Sequence, residues 1–303
     1  MTSGVLVLDK TSGVTSFDAV ALVRRRLRVR RVGHAGTLDP AASGVLPILI
    51  GEATKLMPYL MDQDKEYVAT IRFGVTTDTH DLSGRVVATA PVPALTREML
   101  EAGCRPLTGR LMQVPPMYSA VHHEGRRLYD LAREGLEVDR APREVLVHSM
   151  TVEEIGDTSA VVRIVCGKGT YVRVLAYDLG AALGCGAAVE RLARTRVGRF
   201  DLRTAVSWRE LTDGDADALW GRVLAPESAV AAWPSIRLDA AQARRFVHGQ
   251  PVDVTAPPRA GLVRVHEDGG VLLGVGEVEA GGARVRPVRL LNADRSGTRV
   301  LPA

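Results

Sequence analysis

The residues best placed to do chemistry lie in one short run, Gly33-His34-Ala35-Gly36-Thr37-Leu38-Asp39-Pro40, closed by Ser43-Gly44-Val45-Leu46-Pro47. A single carboxylate, Asp39, stands there among small, apolar and glycine residues. Glycine admits positive φ and lets backbone approach a ligand closely. Pro40 fixes the next φ and biases Asp39 away from the helical region. The segment reads as a shaped loop presenting one acid, and residues 45–50 read as the buried strand that anchors it. One carboxylate in such a setting serves as a nucleophile or as a general base. A two-carboxylate hydrolase is disfavoured, because no second acid in a matching context lies near Asp39.

The elements that must hold this loop follow from residue pattern. Residues 5–8 form a short strand. Thr15 and Ser16 cap a helix whose apolar positions are Phe17, Val20, Val23 and Leu27. A short helical stretch at 52–61 precedes an alternating strand at 65–73, and 76–84 is turn-like. A helix is predicted at 96–104, an extended Gly-, Pro- and Arg-rich insertion at 105–143, and a strand at 161–165. Residues 171–183 read as a helix with Val172, Leu175, Leu179 and Leu183 facing inward. Strands and helices mix without regular βαβ alternation, which predicts an α+β fold with a mixed sheet. Trp233-Pro234 reads as a boundary between a first domain, 1–232, and a second, 233–303. The second carries short β runs at 261–265, 271–275 and 283–291 and one helix at 240–247, the pattern of a small β-barrel.

A chain of 303 residues accommodates two such domains. Asp9 and Lys10 interrupt the only apolar run at the N-terminus, so no targeting signal is expected, and no stretch has the length of a membrane span. Cys104, Cys166 and Cys185 are odd in number and scattered, which argues against zinc and against a disulfide framework. A cytoplasmic protein without metal or cofactor is the expectation. The net charge of +4 favours a polyanionic partner. Only Lys10, Lys55, Lys65 and Lys168 among the 39 basic residues are lysine, so arginine placement says more than arginine number. Arg24, Arg25, Arg26, Arg28, Arg30 and Arg31 crowd the stretch just before the Asp39 loop. They read as a solvated helix end favoured by the dipole, or as a phosphate-binding rim beside the site. Their nearness to the loop favours the rim.

The run G-H-A-G-T-L-D-P-x-A-x-G-V-L-P resembles the catalytic loop of the TruB family of tRNA pseudouridine synthases. Four further segments match the family in the same order, over roughly residues 5 to 200. Lys10-Thr11-Ser12-Gly13-Val14-Thr15-Ser16 resembles K-P-x-G-x-T-S with Thr11 in place of proline. Lys65-Glu66-Tyr67 resembles K-x-Y, and Thr77-Asp78-Thr79-His80-Asp81 with Gly84 resembles T-D-T-x-D-x-x-G. Lys168-Gly169-Thr170-Tyr171-Val172-Arg173 resembles K-G-T-Y-I-R. Between them Gln113-Val114-Pro115-Pro116-Met117-Tyr118-Ser119-Ala120 resembles Q-x-P-P-x-Y-S-A, with His122 where the family usually has lysine.

The resemblance implies a mixed-sheet catalytic domain followed by a PUA-like RNA-binding β-barrel. It implies conversion of uridine to pseudouridine at position 55 in the T loop of tRNA, with no cofactor and no obligatory protein partner. In that reading Asp39 starts the reaction, by attack at C1′, attack at C6 or removal of a ribose proton. Arg173 keeps the carboxylate ionised and Asp81 helps hold the arginine. Tyr67 stacks on the base and can relay the C5 proton, and His34 stacks where the flipped base leaves the loop. Lys10, Tyr171 and the six clustered arginines are carried over as RNA-facing residues, and RNA is recognised by shape. Two rival functions share these motifs, a guide-RNA-dependent synthase and a tRNA-folding chaperone. For the second domain the alternative is a β-cap with no RNA role.

Overall fold

The computed structural model describes residues 3–119, 121–255, 258–281 and 283–292. Ala120, at the end of the Gln113 motif, and residues 293–303 of the expected second domain lie outside the described residues. Strand β1 (Gly4–Lys10) leads into helix α1 (Ser16–Arg26), then β2 (Val32–His34) and β3 (Ser43–Ile50). A 3-10 turn at Gly51–Leu56 and one turn of helix, α2 (Met57–Met61), carry the chain to β4 (Lys65–Phe73). A small hairpin, β5 (Val75–Thr77) and β6 (Val86–Thr89), precedes helix α3 (Arg97–Cys104) and strand β7 (Gly109–Gln113). Next come a second hairpin, β8 (His122–His123) and β9 (Arg126–Arg127), helix α4 (Leu128–Arg133), and two long strands, β10 (Arg143–Ile155) and β11 (Ser159–Cys166). Helix α5 (Val172–Ala182) leads to β12 (Ala187–Val197), β13 (Phe200–Asp201) and β14 (Val206–Ser207), followed by α6 (Trp208–Asp213) and α7 (Ala216–Gly221).

Eight of these strands run β14-β1-β3-β12-β4-β11-β10-β7 across one mixed sheet, with β13 beside β12 and β2 beside β3. Pairing is antiparallel except for β1 with β14 and β3 with β12. Helix α1 starts at a reciprocal cap, in which the Thr15 side chain accepts from the Asp18 backbone and Asp18 accepts from Thr15. It buries Ala19, Val20, Val23 and Leu27 against Leu6, Leu8 and Ile48. Phe17, expected on that face, is 71% exposed, because the buried stripe runs through 16, 19, 20, 23 and 27 and leaves position 17 to one side. Helix α5 buries Val172, Leu175, Ala176 and Leu179 against Ile71, Phe73, Val162 and Ile164.

Several elements go beyond the sequence expectation. The stretch 105–143 is not simply extended, since β7 joins the sheet edge and a hairpin and helix α4 follow. The helix expected over 52–61 is a 3-10 turn with a single α-helical turn. Strands β10 and β12 carry no clean alternation because each is bulged twice, β12 between Val189 and Arg191 and again between Arg194 and Arg196.

The junction of β3 with β12 is short. Only Ala193 with Ser43 and Arg194 with Gly44 pair across it. Gly44 has φ +104°, and a Cβ there would lie 2.2 Å from the Arg194 carbonyl oxygen. Glycine at 44 is therefore what lets the two halves of the sheet meet.

Beyond this sheet the chain forms β15 (Ser235–Leu238), α8 (Ala240–Val247), β16 (Val252–Asp253), β17 (Gly261–Glu267), β18 (Leu272–Val278) and β19 (Arg284–Leu290). The five strands form a second sheet, β15-β17-β18-β19-β16, with its own core around Leu238, Phe246, Val263 and Val265. Val275 and Leu291 pack into a cluster with Val5 and Leu49 of the first sheet. Lys55 donates to the Leu290 carbonyl at 2.9 Å, and His266 is held between Ser235 and Glu227, each at 2.9 Å. No helix among the described residues is long and apolar enough to cross a membrane.

Gly44→Ala combines a strained φ with a backbone overlap. It is expected to cost about 3 kcal/mol and to lower the thermal midpoint by about 5 °C. A midpoint within about 2 °C of the parent's in a melting experiment would show that the junction tolerates a side chain.

Candidate active site

Asp39 stands in the loop between β2 and β3, and the loop is tied down mostly by backbone acceptors. The Ser16 hydroxyl donates to the Leu38 carbonyl at 3.0 Å and accepts the Leu38 N–H at 2.9 Å. The Gly13 N–H donates to the Pro40 carbonyl at 2.8 Å, and the Ser12 hydroxyl to the Ala41 carbonyl at 2.9 Å. The Ala42 N–H returns to the Asp39 carbonyl at 3.0 Å and closes the turn. The two bonds to Leu38 satisfy a carbonyl and an amide that are buried, and those to Pro40 and Ala41 tie down the exposed side of the loop.

Arg173 is the second residue of α5, and its side chain is only 5% exposed. Its Nε donates to Asp39 Oδ2 at 2.8 Å. The terminal nitrogens donate to the carbonyls of Thr79 at 2.7 Å and Tyr118 at 2.8 Å, and Asp81 Oδ2 lies 3.7 Å from Nε. A cation at a helix N-terminus opposes the dipole, so its burial there depends on these four oxygens. Asp81 is itself fixed, because its Oδ1 accepts from the Thr79 hydroxyl at 2.8 Å and from the Ser83 N–H at 3.0 Å. The residue also bridges to Val189 of β12. Gln113 locks the start of α5, donating to the Tyr171 carbonyl at 3.2 Å and accepting the Tyr171 N–H at 2.9 Å.

The structure brings Asp39, Arg173 and Asp81 into one contact group. The Asp39 side chain remains 39% exposed. The acid is open to an approaching ligand while its guanidinium partner is sealed. Tyr67, on β4, pairs directly across from Arg194 of β12. Burial pushes its phenol up, and the neighbouring Arg194 charge acts in the opposite sense. Burial also pushes up the phenol of Tyr171. His34 is half-buried on β2 and its Nδ1 has no hydrogen-bond partner. Burial and then Arg194 push its imidazole down, so the ring is neutral at pH 7.

The residues expected to face RNA divide. Arg24, Arg25, Arg28 and Arg30 are exposed. Arg25, Arg26 and Arg28 line a surface hollow of about 420 Å³ together with Gly214, Asp215 and Ala216. Arg26 is half-buried and donates to the Gly214 carbonyl, and Arg31 pairs with Glu52 at 3.0 Å. Lys10 does not face outward. It is fully buried, and its ammonium donates to the carbonyls of Thr11 at 2.9 Å, Val14 at 2.8 Å and Pro40 at 3.4 Å. It is an internal clamp between the Thr11–Val14 segment and the Asp39 loop.

Arg194 escaped the sequence reading. Its guanidinium is buried and donates to the carbonyls of Val45 at 2.8 Å, Gly36 at 3.0 Å and Thr37 at 3.4 Å. In a chain this rich in arginine nothing about its residue type sets it apart, and the bulged strand hides which way it points.

A family model for the N-terminal domain of TruB family pseudouridylate synthases matches residues 24–172. One for the tRNA pseudouridylate synthase B C-terminal domain matches 173–231, and one for the C-terminal region of pseudouridine synthase II TruB matches 234–291. The tRNA pseudouridine synthase B of Stutzerimonas stutzeri is 43% identical over 96% of this chain and 96% of its own length. That of Aromatoleum aromaticum is 44% identical over 95% of this chain and 92% of its own. Among solved structures, a chain from a Cbf5-Nop10-Gar1 complex superposes with a TM-score of 0.71 at 26% identity, covering 95% of this chain and 84% of that one.

Burial pushes the Lys10 ammonium down to about 8. Since the folded value lies below the ordinary 10.5, raising the pH between the two favours the folded state as far as this group is concerned. Any alkaline loss at this site is therefore loss of loop order rather than of the fold. Turnover is expected to fall as pH rises through about 8. Lys10→Met is expected to be slower by about tenfold at neutral pH, with that limb abolished. A pH–rate profile of the variant that keeps the limb would assign it to another group.

Proposed function

The chain belongs to the TruB family of pseudouridine synthases, and from that premise we propose that it converts uridine to pseudouridine in the T loop of tRNA, at position 55. The observation that carries the reading is the 2.8 Å ion pair between a buried Arg173 and a part-exposed Asp39. A guanidinium fixed by three further oxygens holds the acid in place where a flipped base can reach it.

The reaction breaks the N1–C1′ bond, turns the uracil and rejoins it through C5, with loss of the C5 proton. It needs no redox partner and no group donor. Asp39 opens it as a carboxylate, whether by attack at C1′, attack at C6 or removal of a ribose proton. Arg173 supplies the fixed positive charge and Asp81 steadies that arginine. Tyr67 offers a flat face to the base and a hydroxyl within the same electrostatic neighbourhood as Asp39. Neutral His34 is suited to stacking rather than to ion pairing. Arg24, Arg25, Arg28 and Arg30 bind phosphates along the edge beside the loop, with Arg26 and Arg31 held partly by protein acceptors.

We assign residues 1–232 to the catalytic unit and 233–303 to a PUA-like RNA-binding unit. The protein acts on the T arm of tRNA in the cytoplasm, without a cofactor and without an obligatory protein partner. The match to the curated bacterial synthases along nearly the whole chain supports that reading over a guide-dependent one.

The test is tritium release from a T-arm stem-loop labelled at uridine C5, with the purified chain alone. Release that reaches the label content and disappears in Asp39→Asn, with RNA binding retained, is the expected result. Near-normal turnover by the variant would remove Asp39 from its role. Silence of the parent chain despite tight binding would favour the guide-dependent or chaperone function.

A further inference from the structure

Arg194 is one of two residues of β12, with Ala193, that pair both with the strand behind the Asp39 loop and with the strand carrying Tyr67, and it is the one placed across from Tyr67 itself. On β12 it pairs with Gly44 of β3 on one side and with Tyr67 of β4 on the other. Its three carbonyl acceptors bracket the acid in sequence, Gly36 and Thr37 before Asp39 and Val45 after it. Arg196, two residues on, has a carboxylate partner in Glu66 at 3.8 Å, whereas Arg194 donates to backbone oxygens. Burying a permanently charged group with backbone carbonyls as its acceptors and no carboxylate partner among the described residues is costly if support of the core were its only role. An apolar side chain of similar volume would fill the same space.

We infer that Arg194 is a positioning residue for the isomerisation, which holds the backbone on both sides of Asp39 and keeps the carboxylate in register with the Tyr67 ring. The inference rests on the reading that Asp39 acts on the target uridine. Its physical basis is the shape of the group. A guanidinium is a rigid planar fork whose nitrogens reach separate acceptors in fixed directions, and an ammonium is a single point on a flexible stem. Lysine at 194 preserves the charge and most of the volume but cannot hold Val45 and Gly36 at once in the same geometry. The Arg194 charge also bears on Tyr67, His34, Lys10 and Lys65, so the same side chain contributes to the field around the loop.

The experiment compares the full-length parent with Arg194→Lys, Arg194→Gln and Asp39→Asn, using the T-arm stem-loop labelled at C5. Turnover, KM, RNA dissociation constant and thermal midpoint are read for each. The expected result is a fall in kcat on the order of 100-fold in Arg194→Lys, since a misplacement of about 1 Å costs that much. KM and the dissociation constant are expected to stay within about threefold, with a cooperative melting transition retained. Arg194→Gln is expected to be at least as slow. Full turnover in Arg194→Lys would overturn the inference. So would a parallel loss of kcat, RNA binding and melting transition in both variants, because that pattern belongs to a residue of the core alone. An Asp39→Asn variant that still turns over brings down the underlying reading. A silent Asp39→Asn beside a normal Arg194→Lys brings down only the role of Arg194.

Discussion

A buried guanidinium has to be satisfied by oxygen, and at Arg173 four oxygens come from three separate parts of the chain. Asp39 lies 134 residues earlier, Thr79 94 residues earlier and Tyr118 55 residues earlier, and Asp81 stands just beyond hydrogen-bond range. Removing any one partner leaves part of a permanent charge in the interior, a penalty of several kcal/mol. Helix α5, the β5–β6 hairpin region, the segment after β7 and the Asp39 loop are thereby obliged to converge. The exposed acid and its sealed partner are the visible product of that constraint.

A second constraint acts on the loop backbone. The loop carries few side chains able to lock it, so its carbonyls are gathered from outside by Lys10, Ser12, Ser16 and Arg194. Two of these are buried cations, which makes the floor of the site positive and leaves the Asp39 carboxylate the natural counter-charge above it.

The second sheet is not an appendage hung on a free linker. Val275 and Leu291 complete a cluster that includes Val5 and Leu49 of the first sheet, and Lys55 bonds to the Leu290 backbone. Cutting the chain at Trp233 would uncover that apolar surface, so an RNA-binding role for this module is better separated by surface substitutions than by truncation.

What the sequence determined by itself is what is local. The helix cap at Thr15, the periodic inner face of α5, the Gly- and Pro-shaped loop around Asp39 and the short β runs after residue 260 all depend on neighbours a few positions away, and all are present. The loop, Tyr67 and Arg173 could be named because their motifs are contiguous. Only the tertiary structure decided that Lys10 points inward, that Phe17 points out, that Asp39 stays open, and that Arg194 belongs to the site. The reason is the same in each case. A side chain's direction in a bulged strand, or a cation's choice of carbonyl, is set by pairing between strands distant in sequence. At β12 that pairing hinges on two residue pairs with β3 and two breaks in register with β4, which no pattern along the chain discloses.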